Sequence, residues 1–390
     1  MKNARPRLLI INNNLHIGGV QKALIDLIDR IKNDYEVTLL LFYAKGELKE
    51  KIPEGISVHE TRTHFRYLGM SQSECRTFSD KFFRTVYASA ARIFGIKHAV
   101  RLLSLAGKSD SLGDFDAVIS YLHCPTAKQF YGGTAEYALF YPYAKKKICY
   151  VHCDYKHSGT CHPYSKKLYE KFDAVACVSE SVRERFLSVL PLPEEKVIAI
   201  QNPINEEEVL RLSKENARLY DKSYVNLISV ARLSAEKGID RFIRVLANLN
   251  RPSVRYYVVG EGPYRAQIEA EIEKANLKDR VFLLGKDANP YRHMVNADML
   301  IVPSYHEAAP VVFQEAAALG LRVFTTRTTS AEEMVPEGAG FVCDNDEDSM
   351  LNCLKNILAA FDSSEKAHCG TDVKTSDEDR FKTAFRNLIS

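Results

Sequence analysis

At 390 residues the chain is long enough for two or three domains with cores of their own, which excludes a single small binding module. Apolar residues make up 46% and charged residues 26%, with 19 Gly and 14 Pro, a balance that excludes disordered and collagen-like chains. The net charge of +3 conceals an asymmetry, because residues 1–200 carry 29 Lys and Arg against 21 Asp and Glu while residues 201–390 carry 24 against 29, so the two halves face different partners.

In chain order, Lys2, Arg5 and Arg7 precede an apolar run of only Leu8 to Ile11. That is shorter than the roughly 7 to 15 residues of a signal-peptide core, so the stretch Arg7–Asn12 reads as a buried strand. Gly18-Gly19 follows and opens a helix that ends at Ile31; its amides suit an anion at the positive end of a helix dipole, and they suit a plain tight turn equally. Strands are expected at Tyr35–Tyr43, Asp116–Tyr121 and Lys147–Val151, and their alternation with helical patterns implies a parallel sheet flanked by helices. Between them Lys81–Lys108 carries six Lys and Arg, Arg84, Arg92 and Arg101 among them, and no acidic residue. Phe82, Phe83, Val86, Ile93, Phe94, Ile96, Val100 and Leu103 are interleaved, so the segment fits an anionic membrane surface or a core-facing helix with a solvated basic face. No uncharged apolar run approaches the roughly 18 residues that span a bilayer, so an integral membrane protein is not expected.

Nine cysteines, an odd number scattered over the whole chain, read as free thiols in a reducing cytoplasm. Cys149, Cys153, His157, Cys161 and His162 are metal-ligand types, yet their spacing lacks a second C-x2-C pair, and zinc is not expected.

Gln201-Asn202-Pro203-Ile204-Asn205 breaks the pattern ahead of the acidic helix start Glu206-Glu207-Glu208, and the domain boundary is placed there. Strands at Val225–Val230, Arg255–Val259, Val281–Leu284, Met299–Val302 and Arg322–Thr325 then restart the same grammar, a second doubly wound α/β domain facing the first across a cleft. The expected domains are 1–203, 204–374 and a closing helix in 375–390, where Phe381, Ala384, Phe385 and Leu388 have helical spacing from Asp377 to Ile389.

Ligands of open α/β sheets bind beyond the carboxyl ends of the strands, so Arg232 and Lys237, five residues apart after a strand that ends near Ala231, project where a ligand lies. Two such cations suit a diphosphate. After Met299–Val302, Pro310 is placed to start a helix over Val311–Leu319 that Gly320 caps, with Glu307 before the helix and Glu315 in its second turn. Free amides at that helix start suit a phosphate, and carboxylates accept from vicinal hydroxyls. Asp344-Asn345-Asp346 resembles a metal-carrying D-x-D, but its position before a helix makes Asp346 the expected N-cap.

Gly18-Gly19, Arg232 with Lys237-Gly238, Gly260-Glu261-Gly262-Pro263, Ala297-Asp298 and the Glu307 to Glu315 E-x7-E pattern occur in an order that resembles the retaining GT-B glycosyltransferases of family four, which include sucrose synthase and bacterial lipopolysaccharide and capsule enzymes. The resemblance implies a GT-B fold of two Rossmann-like domains, the first binding acceptor and the second nucleotide-sugar, with a hexosyl group moved from a nucleotide diphosphate sugar, a UDP-sugar foremost. It assigns Arg232 and Lys237 to the diphosphate, Glu315 to the ribose and Glu307 to the sugar hydroxyls. His152, after the strand of Tyr150-Val151, becomes the histidine facing the sugar. Gly18, Gly19, Ala308, Ala309, Pro310 and Val311 complete the donor site, with Ala308 and Ala309 standing where the family often has Gly and narrowing the approach. No metal or other cofactor is implied. The expected acceptor is a saccharide, lipid-linked, at the inner face of the cell membrane, with no nucleic acid involved; an epimerase of the same fold and a non-catalytic subunit of a transferase complex are the alternatives.

Overall fold

The computed structural model describes residues 5–335, 338, 340–363 and 378–390. It divides into two units, Met1–Pro203 with Glu378–Ser390, and Ile204–Asp377. Strands of the first unit are β1 (Arg7–Asn12), β2 (Glu36–Leu41), β3 (Ser57–Glu60), β4 (Phe115–Ser120), β5 (Ala144–Val151), β6 (Ala174–Cys177) and β7 (Val197–Ala199). They form one sheet in the order β3-β2-β1-β4-β5-β6-β7, parallel throughout. Leu8, Leu9, Ile10 and Ile11 are fully buried, as a central strand covered on both faces requires.

The second unit holds β8 (Val225–Val230), β9 (Val254–Val259), β10 (Val281–Gly285), β11 (Met299–Val302), β12 (Val323–Thr326) and β13 (Gly340–Cys343). Their order is β10-β9-β8-β11-β12-β13, also parallel. One face packs Leu227, Phe242, Tyr256 and Leu354, and the other packs Ile228, Met294, Leu300 and Phe313. In both sheets the chain reverses direction across its fourth strand, between β1 and β4 and again between β8 and β11. At such a switch point the loops that follow the two strands diverge and leave a crevice at the carboxyl edge.

β3, β6 and β13 fall outside the sequence expectation for a physical reason, each being only four residues long. β3 is a four-residue edge strand with no buried side chain, and β6 has only the small run Ala174-Val175-Ala176-Cys177. The basic segment folds as two helices, Phe78–Phe94 and Ile96–Leu105, separated by Gly95 at φ +89°. The final helix, Glu378–Ile389, packs on the first unit, with Phe385 edge-on to Tyr35 at 5.5 Å. Residues 375–377, expected as the start of that closing segment, lie outside the described residues, as does Cys369. The other eight cysteines are free thiols, and no described helix is long and apolar enough to cross a membrane.

Candidate functional site

The second unit's switch point is assembled from three loops that touch through glycines. After β8, residues 231–238 make a short turn that ends in Gly238 at φ +63°, where a Cβ would lie 2.1 Å from the Pro303 carbonyl oxygen beyond β11. After β9, a Cβ on Gly260 would lie 1.8 Å from the Ala231 oxygen, and one on Gly262 would lie 2.1 Å from the Leu233 oxygen. The Leu233 amide donates to Glu261 O at 3.0 Å across this contact. Only residues without a side chain let these backbones approach so closely.

On this platform the Lys237 ammonium donates to Glu307 Oε1 at 2.6 Å, and the Ser304 hydroxyl donates to the same oxygen at 2.7 Å. Both partners of the ion pair are largely buried. Glu307 Oε1 is therefore fully engaged, while Oε2 makes no hydrogen bond among the described residues. Arg232 is more exposed and reaches Glu236 Oε1 at 3.1 Å. Burial raises the Glu236 pKa, but the Ser234 hydroxyl and the Arg232 guanidinium more than offset this and hold the carboxyl below its ordinary value. Arg241 carries no motif and was not expected here. It is buried, stacks on the Tyr305 ring at 3.8 Å and donates to the Pro303 oxygen at 2.8 Å, so it braces the loop that presents Glu307.

The helix after β11 runs from Val311 to Ala318, and Pro310 precedes it in extended conformation with no side chain capping the first turn. Gly320 ends it at φ +65°, its amide bonding Ala317 O while Leu321 N bonds Ala316 O. Ala308 is buried and Ala309 packs on the core that contains Val302 and Phe313. Packing against the unit's own interior thus takes up both residues at the positions where the family often has Gly. Glu315 is buried and accepts from the Tyr291 hydroxyl at 2.8 Å. Tyr291 and Ser304 stand beside the two glutamates without any sequence spacing to mark them.

In the first unit, Gly18 is the residue ahead of the helix Gly19–Ile31, with no side-chain cap, and a Cβ on Gly19 would point into open space. His152 follows β5. Its ring lies 4.7 Å from that of Tyr121 and stacks on Tyr150 at 5.5 Å, and its Nε2 is buried without a hydrogen-bond partner among the described residues. Burial, and then the neighbouring His123, push its pKa down to about 3, so the imidazole is neutral at physiological pH. Nearby, His157 pairs with Asp154 at 2.9 Å, the Cys149 thiol donates to the Leu122 oxygen, and His162 caps the helix at Pro163. Among the described residues no group of three or more His, Cys, Asp or Glu is placed to hold a metal ion. Asp346 accepts from the Ser349 amide at 2.8 Å at the start of the helix Glu347–Ser363.

Residues 17–208 match the family described as Glycosyltransferase Family 4, and residues 213–368 match Glycosyl transferases group 1. The gpi3 subunit of phosphatidylinositol N-acetylglucosaminyltransferase from Schizosaccharomyces pombe is 29% identical over 48% of this chain and 41% of its own length. A diphospho-undecaprenol 4-alpha-N-acetylgalactosaminyltransferase from Campylobacter jejuni is 29% identical over 49% of this chain and 52% of its own. The aligned part is about half the length of these relatives. The structure of HepE from Anabaena, solved with UDP and glucose, superimposes with a TM-score of 0.68 at 16% identity, covering 98% of this chain and 97% of that one. The two sheets thus share the fold of that protein.

Proposed function

The chain belongs to glycosyltransferase family four, and on that premise we propose that it is a retaining transferase that moves a hexosyl group from a UDP-sugar to a saccharide acceptor. The observation that carries the reading is the Lys237–Glu307 pair at the β8/β11 switch point, with Ser304 on the same carboxylate oxygen. A carboxylate held by two donors on Oε1 has Oε2 left for a sugar hydroxyl, and the cation beside it meets the adjoining phosphate. Arg232 takes the other phosphate. The amides at the start of the helix Val311–Ala318 add their partial positive charge, and buried Glu315 accepts from the ribose.

In the reaction, the bond between the sugar's anomeric carbon and the diphosphate oxygen breaks while the acceptor oxygen bonds to the same face of that carbon. The acceptor's proton passes to the departing phosphate. Charge grows on the diphosphate, and Arg232, Lys237 and the helix amides stabilise it without reorganising. His152 stays uncharged, so its contribution is a hydrogen bond to the sugar, not a proton. Support for UDP comes from the HepE complex, and support for a lipid-linked acceptor comes from the diphospho-undecaprenol in the Campylobacter relative's name; the process proposed for it is cell-surface polysaccharide synthesis. Cytoplasmic action follows from the same reading.

The test is a panel of sugar nucleotides scored for thermal stabilisation and for slow hydrolysis without acceptor. A UDP-sugar should raise Tm and release UDP. If an epimeric sugar nucleotide appears instead, with no acceptor present, the protein is an epimerase and the transfer reading fails.

A further inference from the structure

Of the twelve large hydrophobic side chains exposed among the described residues, seven lie between Phe78 and Leu105. Phe78 is 86% exposed, Phe82 54%, Ile93 65%, Phe94 66% and Leu105 83%. At about 100° per residue, Phe78, Phe82, Val86 and Ile93 fall on one stripe of the first helix, and Lys81 and Arg92 lie along one edge of it. The opposite face, Tyr87, Ala90 and Ala91, is buried. The second helix repeats the arrangement, with Ile96, Ala99, Val100 and Leu103 turned inward and Lys97, Arg101, Leu102 and Leu105 outward. Gly95 makes the elbow, and the Ile96 amide bonds Ala127 O at 2.8 Å, which pins the second helix to the unit. Among the described residues no salt bridge ties down Lys81, Arg92, Lys97 or Arg101.

We propose that this outward face is a docking surface for an anionic lipid bilayer. The aromatic and aliphatic side chains enter the headgroup region while the four cations meet lipid phosphates. Charge complementarity selects the occupant. Residues 81–108 contain no acidic residue, so a second copy of the chain packed symmetrically on this face would set cations against cations. Arg84, counted among the basic residues of the segment, is not part of the surface. Its guanidinium is turned inward to Met70 O at 2.7 Å and Gln72 Oε1 at 2.8 Å. The inference deepens the acceptor side of the proposed function, where a lipid-linked saccharide is met, and it does not depend on the donor site.

The experiment is co-sedimentation of the full chain with vesicles of phosphatidylcholine alone and of phosphatidylcholine with phosphatidylglycerol, at low and high salt. Wild type should pellet with the anionic vesicles at low salt and be released at high salt. Each surface cation contributes about fivefold in partitioning, so Arg92→Glu/Lys97→Glu/Arg101→Glu should lose at least tenfold. Phe78→Ser/Phe82→Ser/Phe94→Ser leaves the charge intact and should also lose at least tenfold. These side chains are exposed, so Tm and donor hydrolysis should stay at wild-type values in both variants. A wild-type protein that remains in the supernatant at low salt overturns the proposal. So does a serine variant that pellets like wild type, or a wild-type dimer in analytical ultracentrifugation that the serine variant dissolves. Donor hydrolysis is read separately, so failure here and failure of the transferase reading are distinguishable.

Discussion

The ion pair between Lys237 and Glu307 makes the two residues separable by ligand part. Lys237→Ala removes a contact to charge that grows on the diphosphate, which costs on the order of 2 to 4 kcal/mol, so steady-state donor turnover should fall at least tenfold. Arg232→Ala should do the same. Glu307→Gln releases Lys237 from its counter-charge, so free UDP should bind as well as before or tighter while sugar transfer collapses. Glu315→Gln should weaken UDP itself. Calorimetry with UDP that shows equal losses in the two glutamine variants contradicts this division. His152 supplies a pH signature. Its pKa of about 3 in the folded chain lies below the ordinary value, so as pH falls below about 6.5 the unfolded chain binds a proton that the folded one refuses. Stability is full above that pH and declines on acidification, by about 2 kcal/mol near pH 5. Urea midpoints at pH 7 and pH 5 should differ more for wild type than for His152→Gln. An equal difference in both would remove the buried, neutral state assigned to this ring.

Among the elements, the glycine contacts between strand-end loops decide where the site residues stand. Gly260→Ala places a methyl on the Ala231 oxygen at a backbone angle that L side chains rarely adopt, so the loop bearing Arg232 must move. The expected result is a loss of roughly 1 to 3 kcal/mol in urea unfolding together with weaker UDP binding. A variant with wild-type stability and affinity would mean the loops are not braced there. Elements of this kind were largely legible in the sequence. Val225–Val230 and Met299–Val302 form continuous apolar runs closed by turn residues, and both occur as strands with those bounds. What escaped was set by tertiary context. β3, β6 and β13 are too short to show a period, and Arg241 and Tyr291 reach the site only through folding, 62 and 24 residues from their partners Pro303 and Glu315. The direction of Arg84 was equally invisible, because helical spacing does not reveal a neighbouring carbonyl that captures a guanidinium.

On the scale of the whole molecule, the proposed function sets the basic first half toward lipid or acceptor and gives the nucleotide diphosphate to the second half, whose net charge is acidic, so the diphosphate must be met by local cations and not by the charge of that half. The proposed function has Arg232, Lys237 and helix amides counter the diphosphate charge, so turnover should survive EDTA; loss that only a divalent ion restores would show that the protein's own cations are insufficient. The most direct test of the central claim is calorimetric titration of UDP into wild type and Lys237→Ala, in the presence of EDTA. Saturable one-site binding by wild type, weakened at least tenfold by the substitution, is the predicted result. UDP that binds both proteins equally, or neither, would contradict a donor site at the β8/β11 switch point.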